Sequence, residues 1–310
     1  MEDGKLSFTS PKNQKSFLEN RKLGSAFIRS LAKDVLAKKE LNNLNEDFVI
    51  EKLDAFLEKH KELEKKIKLE LEKKTYKQFQ RSKDHELIIK KVRAELREIY
   101  GVFILDDYKK RHELLEKLKK EPSLENHNKI LELHKSSKER LPYYGIAYKK
   151  IFGMTGVPKK VVDLACGLNP ISHPYLGCSP GYLACDLAEK DLEFIQEYFG
   201  LRKIKGKTER IDLVQEVKRL TKITKDSDLV FLFKTLDSLE SVKWNISSEL
   251  LENISSKFIV VSFASKSLGG KKIIRKERRA WFERLLARKS LAFQSFEIPG
   301  EVFYIIKNKN

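Results

Sequence analysis

Between residues 15 and 140, apolar positions recur every three or four residues against a background of Lys, Glu and Leu. That spacing matches the 3.6-residue turn of a helix with one buried stripe. Almost no glycine or proline interrupts it. The stretch beginning "FVIEKLDAFLEKHKELEKKIKLELEKK" predicts two or more amphipathic helices, with Asn45 as an N-cap and Glu46 and Asp47 in the first turn. "KKEPSLENHNKILELHKSSKERL" predicts a helix that restarts after Pro122, capped by Ser123.

After Pro142 the period changes. Short apolar runs, "KKVVDLAC", "GYLACDL", "SDLVFLFKTLDSL" and "KFIVVSFAS", predict strands, and an extended stretch precedes Asp212. Between them lie the helical "AEKDLEFIQEYFGL", a loop and helix in "RIDLVQEVKRL", "WNISSELLENIS" and "RKERRAWFERLLARKS". "AFQSFEIPGEVFYIIKN" predicts two strands around Pro299-Gly300. Alternating strands and helices imply a parallel sheet covered on both faces. The C-terminal hairpin adds one antiparallel strand, which separates the methyltransferase variant of the Rossmann plan from the dehydrogenase variant. The expected architecture is α/β: a seven-stranded Rossmann-like sheet over 141–310, preceded by an all-helical basic domain over 1–140.

Charge bears on partners. Lys and Arg outnumber Asp and Glu by 63 to 45, a net +18. Such an excess attracts polyanions, and nucleic acid is the first candidate. Cys166, Cys178 and Cys185 fit no common zinc spacing, and no metal site is expected. No apolar run approaches the ~18 residues of a membrane span, and "MEDGKLSFTS" lacks a signal-peptide core. A cytoplasmic protein with no membrane partner is expected, and a monomer.

The stretch "VVDLACGLNPISHPYLG" ends its apolar run at Asp163 and then reaches Gly167. In an open α/β sheet, ligands sit at the carboxyl ends of the strands. Gly167 leaves room where a Cβ would collide. A dinucleotide site would carry G-x-G-x-x-G, yet the run here is G-L-N-P. The turn suits a ligand without a phosphate, such as S-adenosylmethionine. Asp186, at the end of the second strand, is placed to accept from ribose hydroxyls. Asp212 follows the next extended stretch, where a carboxylate can accept from an adenine amino group.

"LHKSSKERLPYYGIAYKKIFG", "VVDLACGLNPIS" and "SFASKSLGGK" occur in this order. The chain thereby resembles the aminoglycoside-resistance methyltransferases of small-subunit ribosomal RNA, over roughly residues 131–306. Ala264 stands where typical members often have proline. The resemblance implies methyl transfer from S-adenosylmethionine to N7 of a guanine near the decoding site. It implies that Arg140 binds the methionine carboxylate, Asp163 helps hold the amino end, and Ala165, Gly167 and Asn169 form the turn lining the pocket. Asp186 and Leu187 would serve the ribose, and Asp212 and Leu213 the adenine. Phe233 would face the methyl donor, with Lys266, Ser262 and Ser267 on the RNA side.

N7 of guanine carries a free lone pair, so no general base or covalent nucleophile is required, and positioning supplies most of the rate. Trp281, Phe263 and Tyr144 are candidates to stack on an extruded base, each also a candidate for the core. Lys271, Lys272, Arg275, Lys276, Arg278 and Arg279 follow the fifth strand and would neutralise RNA phosphates. The alternatives are a methyltransferase of another RNA or of a protein, and a non-catalytic RNA-binding assembly factor of the same fold. The enzymes should bind S-adenosylmethionine in the micromolar range and lose it with Asp186→Ala or Arg140→Ala. The RNA binding of an assembly factor should survive both changes.

Overall fold

The computed structural model describes residues 24–266 and 273–309. By its contacts the chain divides into two compact units, Met1–Leu96 and Arg97–Asn310. The sequence texture places the boundary at 140 instead, because the helical pattern runs on without a break. Helices beyond residue 97 nonetheless share a core with the sheet: Tyr108, Leu115, Leu118, Ile130 and Leu131 pack in one cluster with Tyr198 and Phe231.

In the first unit, helices Ser25–Leu36, Glu46–Lys59 and Lys61–Leu71 are followed by the short Tyr76–Phe79 and the start of Lys83–Ile99. Asn45 is the N-cap, its side chain accepting from the Asp47 N–H at 2.8 Å. The buried stripe includes Phe27, Leu31, Phe48, Leu53, Ile67, Phe79 and Val92. Asp34 gathers Tyr76, Gln80 and His85 around one carboxylate.

The second unit contains helices Arg111–Lys120, Leu124–Leu131, Lys135–Arg140 and Tyr144–Thr155 ahead of the sheet. Ser123 caps Leu124–Leu131 by accepting from Asn126 N–H. The strands are β1 Lys160–Leu164, β2 Gly181–Asp186, β3 Gly206–Arg210, β4 Leu229–Phe233, β5 Phe258–Ala264, β6 Phe293–Ile298 and β7 Glu301–Lys307. Their order is β3-β2-β1-β4-β5-β7-β6. All pairings are parallel except those of β7, which runs antiparallel to both β5 and β6.

Alternate residues feed opposite faces, as the pleat requires. Val161, Leu229, Phe231, Val260 and Phe303 join the core under helices Tyr144–Thr155 and Glu189–Leu201. Val162, Val230, Leu232, Val261 and Tyr304 join the other, under Ile246–Asn253 and Ala280–Arg288. The helix expected in "RIDLVQEVKRL" shrinks to single turns at Val217–Arg219 and Leu220–Ile223. Ahead of them the Asp212 carboxylate accepts from the N–H groups of Val214 and Gln215 and shapes the loop. Strand order reverses between β1 and β4, so the ligand-binding crevice of this fold class lies at the carboxyl ends of those two strands.

Candidate functional site

One carboxylate lies near the end of β1, one ends β2 and one follows β3. Asp163, in β1, is buried and accepts from Asn169 Nδ2 at 2.8 Å and Tyr182 OH at 2.6 Å. Burial pushes its carboxyl up to about 7, against the pull of those two donors. Asp186 ends β2. Its Oδ1 accepts from the N–H groups of Leu187 and Ala188 and its Oδ2 from Gly167 N–H at 2.9 Å. Burial raises its pKa, and the three backbone donors oppose the rise. Asp186 thus ties the second strand's exit to the glycine turn and keeps spare lone pairs.

The turn itself is left-handed at two positions, Ala165 at φ +50° and Gly167 at φ +48°. A Cβ on Gly167 would meet the His134 ring at 2.8 Å. The bare backbone there therefore accommodates an imidazole of this chain, a contact invisible in the local sequence. His134 also stacks on Phe103, ring centroids 5.7 Å apart. Burial drives its pKa down to about 3, with the Arg140 and Lys234 charges adding, so the ring is neutral. Among the described residues its Nδ1 has no hydrogen-bond partner.

Asp212 lies beyond β3, with Oδ1 occupied by Val214 and Gln215. Its Oδ2 is buried and has no hydrogen-bond partner among the described residues. An orphaned carboxylate oxygen in a nucleoside crevice fits an amino-group donor from outside the chain. Leu213 is buried in the adjoining core, and Leu187 is half-buried. These residues could hold a nucleoside cofactor, and no glycine-rich phosphate cradle follows β1 among the described residues.

Two expected contacts are arranged differently. Arg140 is 1% exposed and its donors already have partners. It forks onto Glu301 at 3.0 and 2.7 Å, and also reaches Asn169 Oδ1 at 3.0 Å, Ser136 Oγ at 3.3 Å and Tyr144 OH at 3.5 Å. Burial opposes its charge, but Glu301 outweighs that and raises its pKa. Phe233 packs inward, stacked on Phe231 and lying 4.7 Å from the Arg140 guanidinium. It shields the ion pair instead of standing open to a methyl donor. Glu301, although burial resists its charge, is held low by Arg140 and Lys234. It also accepts from Ser262 Oγ.

On the RNA side, Lys266 is exposed and pairs with Ile273 in an isolated bridge. Ser267, Lys271 and Lys272 lie outside the described residues. Arg275 and Arg278 are exposed, whereas Arg279 is buried at 5%, with Glu297 at 3.9 Å. Arg279, the residue before the amphipathic helix Ala280–Arg288, is buried and so withdrawn from phosphates. Phe263 and Tyr144 are core residues at 1% and 0% exposure, so neither is a free stacking platform, whereas Trp281 is half-buried and packs edge-on to Phe263. Among the described residues no His, Cys, Asp and Glu cluster could hold a metal, and no helix is long and apolar enough to cross a membrane.

Glu139, Lys234 and Glu301 form ion pairs next to or with Arg140, and the His134 ring lies against Gly167; the sequence assigned no role to any of the four. Only His134 and Glu139 had a local signal, inside "HKSSKERLP".

A curated 16S rRNA (guanine(1405)-N(7))-methyltransferase of Frankia casuarinae is 33% identical over 183 residues, covering 58% of this chain and 63% of that protein. One of Proteus mirabilis is 30% identical over 236 residues, covering 70% of this chain and 83% of that protein. The crystal structure of the 16S rRNA methyltransferase RmtF in complex with S-adenosyl-L-homocysteine matches with TM-score 0.72 and 25% identity. It covers 91% of this chain and 98% of that one. The 16S rRNA methylase RmtB, at 24% identity and TM-score 0.65, shows the same fold over 91% of this chain. Residues 77–305 match the family model described as ribosomal RNA methyltransferase (FmrO), and the chain belongs to that family.

Proposed function

We propose that this protein transfers a methyl group from S-adenosylmethionine to N7 of a guanine in the 16S rRNA of the small ribosomal subunit, acting as a cytoplasmic monomer. The orphaned Asp212 Oδ2 beyond β3, on the same side of the sheet order as the left-handed turn after β1, carries the cofactor half of this reading. The names of the relatives carry the target half.

In this reading Asp212 accepts from the adenine amino group and Asp186 from the ribose hydroxyls. Asp163 and the 165–169 turn face the amino-acid end. Arg140 acts on the methionine carboxylate through its buried charge and through its grip on Asn169. The bound cofactor supplies an electrophilic methyl carbon. The guanine N7 lone pair attacks that carbon as its bond to sulfur breaks, the positive charge passes to the purine, and no proton moves. The chain therefore supplies position and electrostatics, and none of its cysteines is asked to be a nucleophile. Burial raises the pKa of Cys166 and pushes that of Cys185 well up, which suits packing and not attack. Exposed Arg275 and Arg278 and exposed Lys266, together with Lys271 and Lys272 of the same basic run in the sequence, would hold the RNA backbone, assisted by the basic N-terminal helices.

The test is to incubate small subunits, naked rRNA, tRNA and ribosomal proteins separately with methyl-labelled S-adenosylmethionine. Label is expected in 16S rRNA as N7-methylguanosine, revealed by borohydride reduction and aniline cleavage. Label confined to tRNA or protein contradicts the proposed target.

A further inference from the structure

With Phe233 turned into the core, the chemistry at the end of β4 falls to the next residue. Lys234 is the first residue beyond β4, at the reversal of strand order. Its backbone is left-handed at φ +56°, and a lysine there costs energy that the surroundings must supply. Its N–H donates to Ser262 O at 3.0 Å and Ser262 Oγ at 3.1 Å, which fixes the bend.

The side chain is equally fixed. It is 7% exposed, with Nζ 2.8 Å from Glu139 and 3.6 Å from Glu301. Its charge reaches His134, the ring that packs on Gly167. Glu139 is half-exposed, so the ammonium sits between the cofactor turn and solvent. An ammonium has three donors; Glu139 accepts from one, and Glu301 at 3.6 Å is an ion-pair neighbour beyond hydrogen-bond reach.

We infer that Lys234 reads the target base, an N–H that Glu139 does not take donating to O6 of the guanine that is methylated. This rests on the guanine-N7 reading above. N7 and O6 are the two acceptors on one edge of guanine. N7 must stay free to attack, which leaves O6 as the handle. Adenine presents an amino donor in the same place, and an ammonium repels it. Glu139 and Glu301 offset the ammonium charge, so a base that becomes cationic is not facing an unbalanced positive site.

The experiment uses the full chain and small subunits reconstituted with either guanine or 2-aminopurine at the mapped target. The analogue keeps N7 and lacks O6. Wild type is expected to lose about 10- to 100-fold in kcat/KM on the analogue, the worth of one base-edge contact. Lys234→Met is expected to lose a similar factor on guanine, to show no further loss on the analogue, and to keep S-adenosylmethionine affinity. Equal wild-type rates on both bases overturn the contact, and that comparison needs no folded variant. A Lys234→Met chain that loses as much on the analogue as on guanine, or that loses cofactor binding, overturns it also. Wild type that labels no guanine at all instead removes the underlying reaction.

Discussion

Arg140 and Glu301, 161 residues apart in the chain, form a forked ion pair that is almost wholly buried. The pair couples the last strand to the first glycine turn, because Arg140 also holds Asn169 and Asn169 holds Asp163. Removing one partner leaves uncompensated charge in the interior. Glu301→Ala should therefore cost about 3–5 kcal/mol, measured by urea denaturation, and weaken cofactor binding in parallel. A loss below about 1 kcal/mol would show that water or another acceptor replaces the carboxylate.

Gly167 faces two obstacles to substitution. Gly167→Ala must hold a left-handed backbone, about 1–2 kcal/mol, and must displace the His134 ring. The double change Gly167→Ala with His134→Ala should relieve the second penalty alone. Stability by thermal unfolding should show the two changes strongly non-additive. Additivity would mean that the ring yields freely.

Asp163 titrates in a testable window. Its folded pKa is about 7 against an ordinary 3.8. Between those values the folded chain binds a proton that the unfolded chain has lost. The contribution to stability is thus full at pH below about 4 and is lost as pH rises through about 7. Asp163→Asn should remove this component, seen as a flatter stability–pH profile. Cofactor affinity should run the opposite way, rising through neutrality as the carboxylate ionises, because the sulfonium and ammonium of the cofactor favour an anion there. A wild-type affinity that does not change with pH would contradict that placement.

Much of this site can be read from residue types at strand ends. Asp186 and Asp212 are legible because acids recur just past successive extended runs, although both also accept from local backbone N–H groups. The missing glycines of a dinucleotide loop were equally plain. Long-range partners were not: nothing in "IPGEVFYII" marks Glu301 as the acceptor for Arg140, and Lys234 is one of many lysines. Arg279 shows the same limit, since a charged residue within a basic run gives no sign that its own helix will bury it. The helical texture around residue 140 is uniform too, so the boundary of the compact units is set by contacts that periodicity does not encode.

Charge reversal distinguishes the basic residues. Arg275→Glu with Arg278→Glu should weaken rRNA binding and lower the salt slope by about one per lost phosphate contact, with thermal stability retained. Arg279→Glu should instead lower thermal stability, because the site is buried. An unchanged salt slope in the first variant would move the RNA surface elsewhere.

The most direct measurement is calorimetric titration of the full chain with S-adenosylmethionine, S-adenosylhomocysteine and NAD, repeated with Asp212→Asn. That variant keeps the local turn through Oδ1 but can present a donor to the adenine amino group. Micromolar binding of both sulfur nucleosides, none of NAD, and about tenfold or greater weakening by Asp212→Asn are expected. A crevice that takes up NAD, or that ignores S-adenosylmethionine at millimolar concentration, would contradict the account.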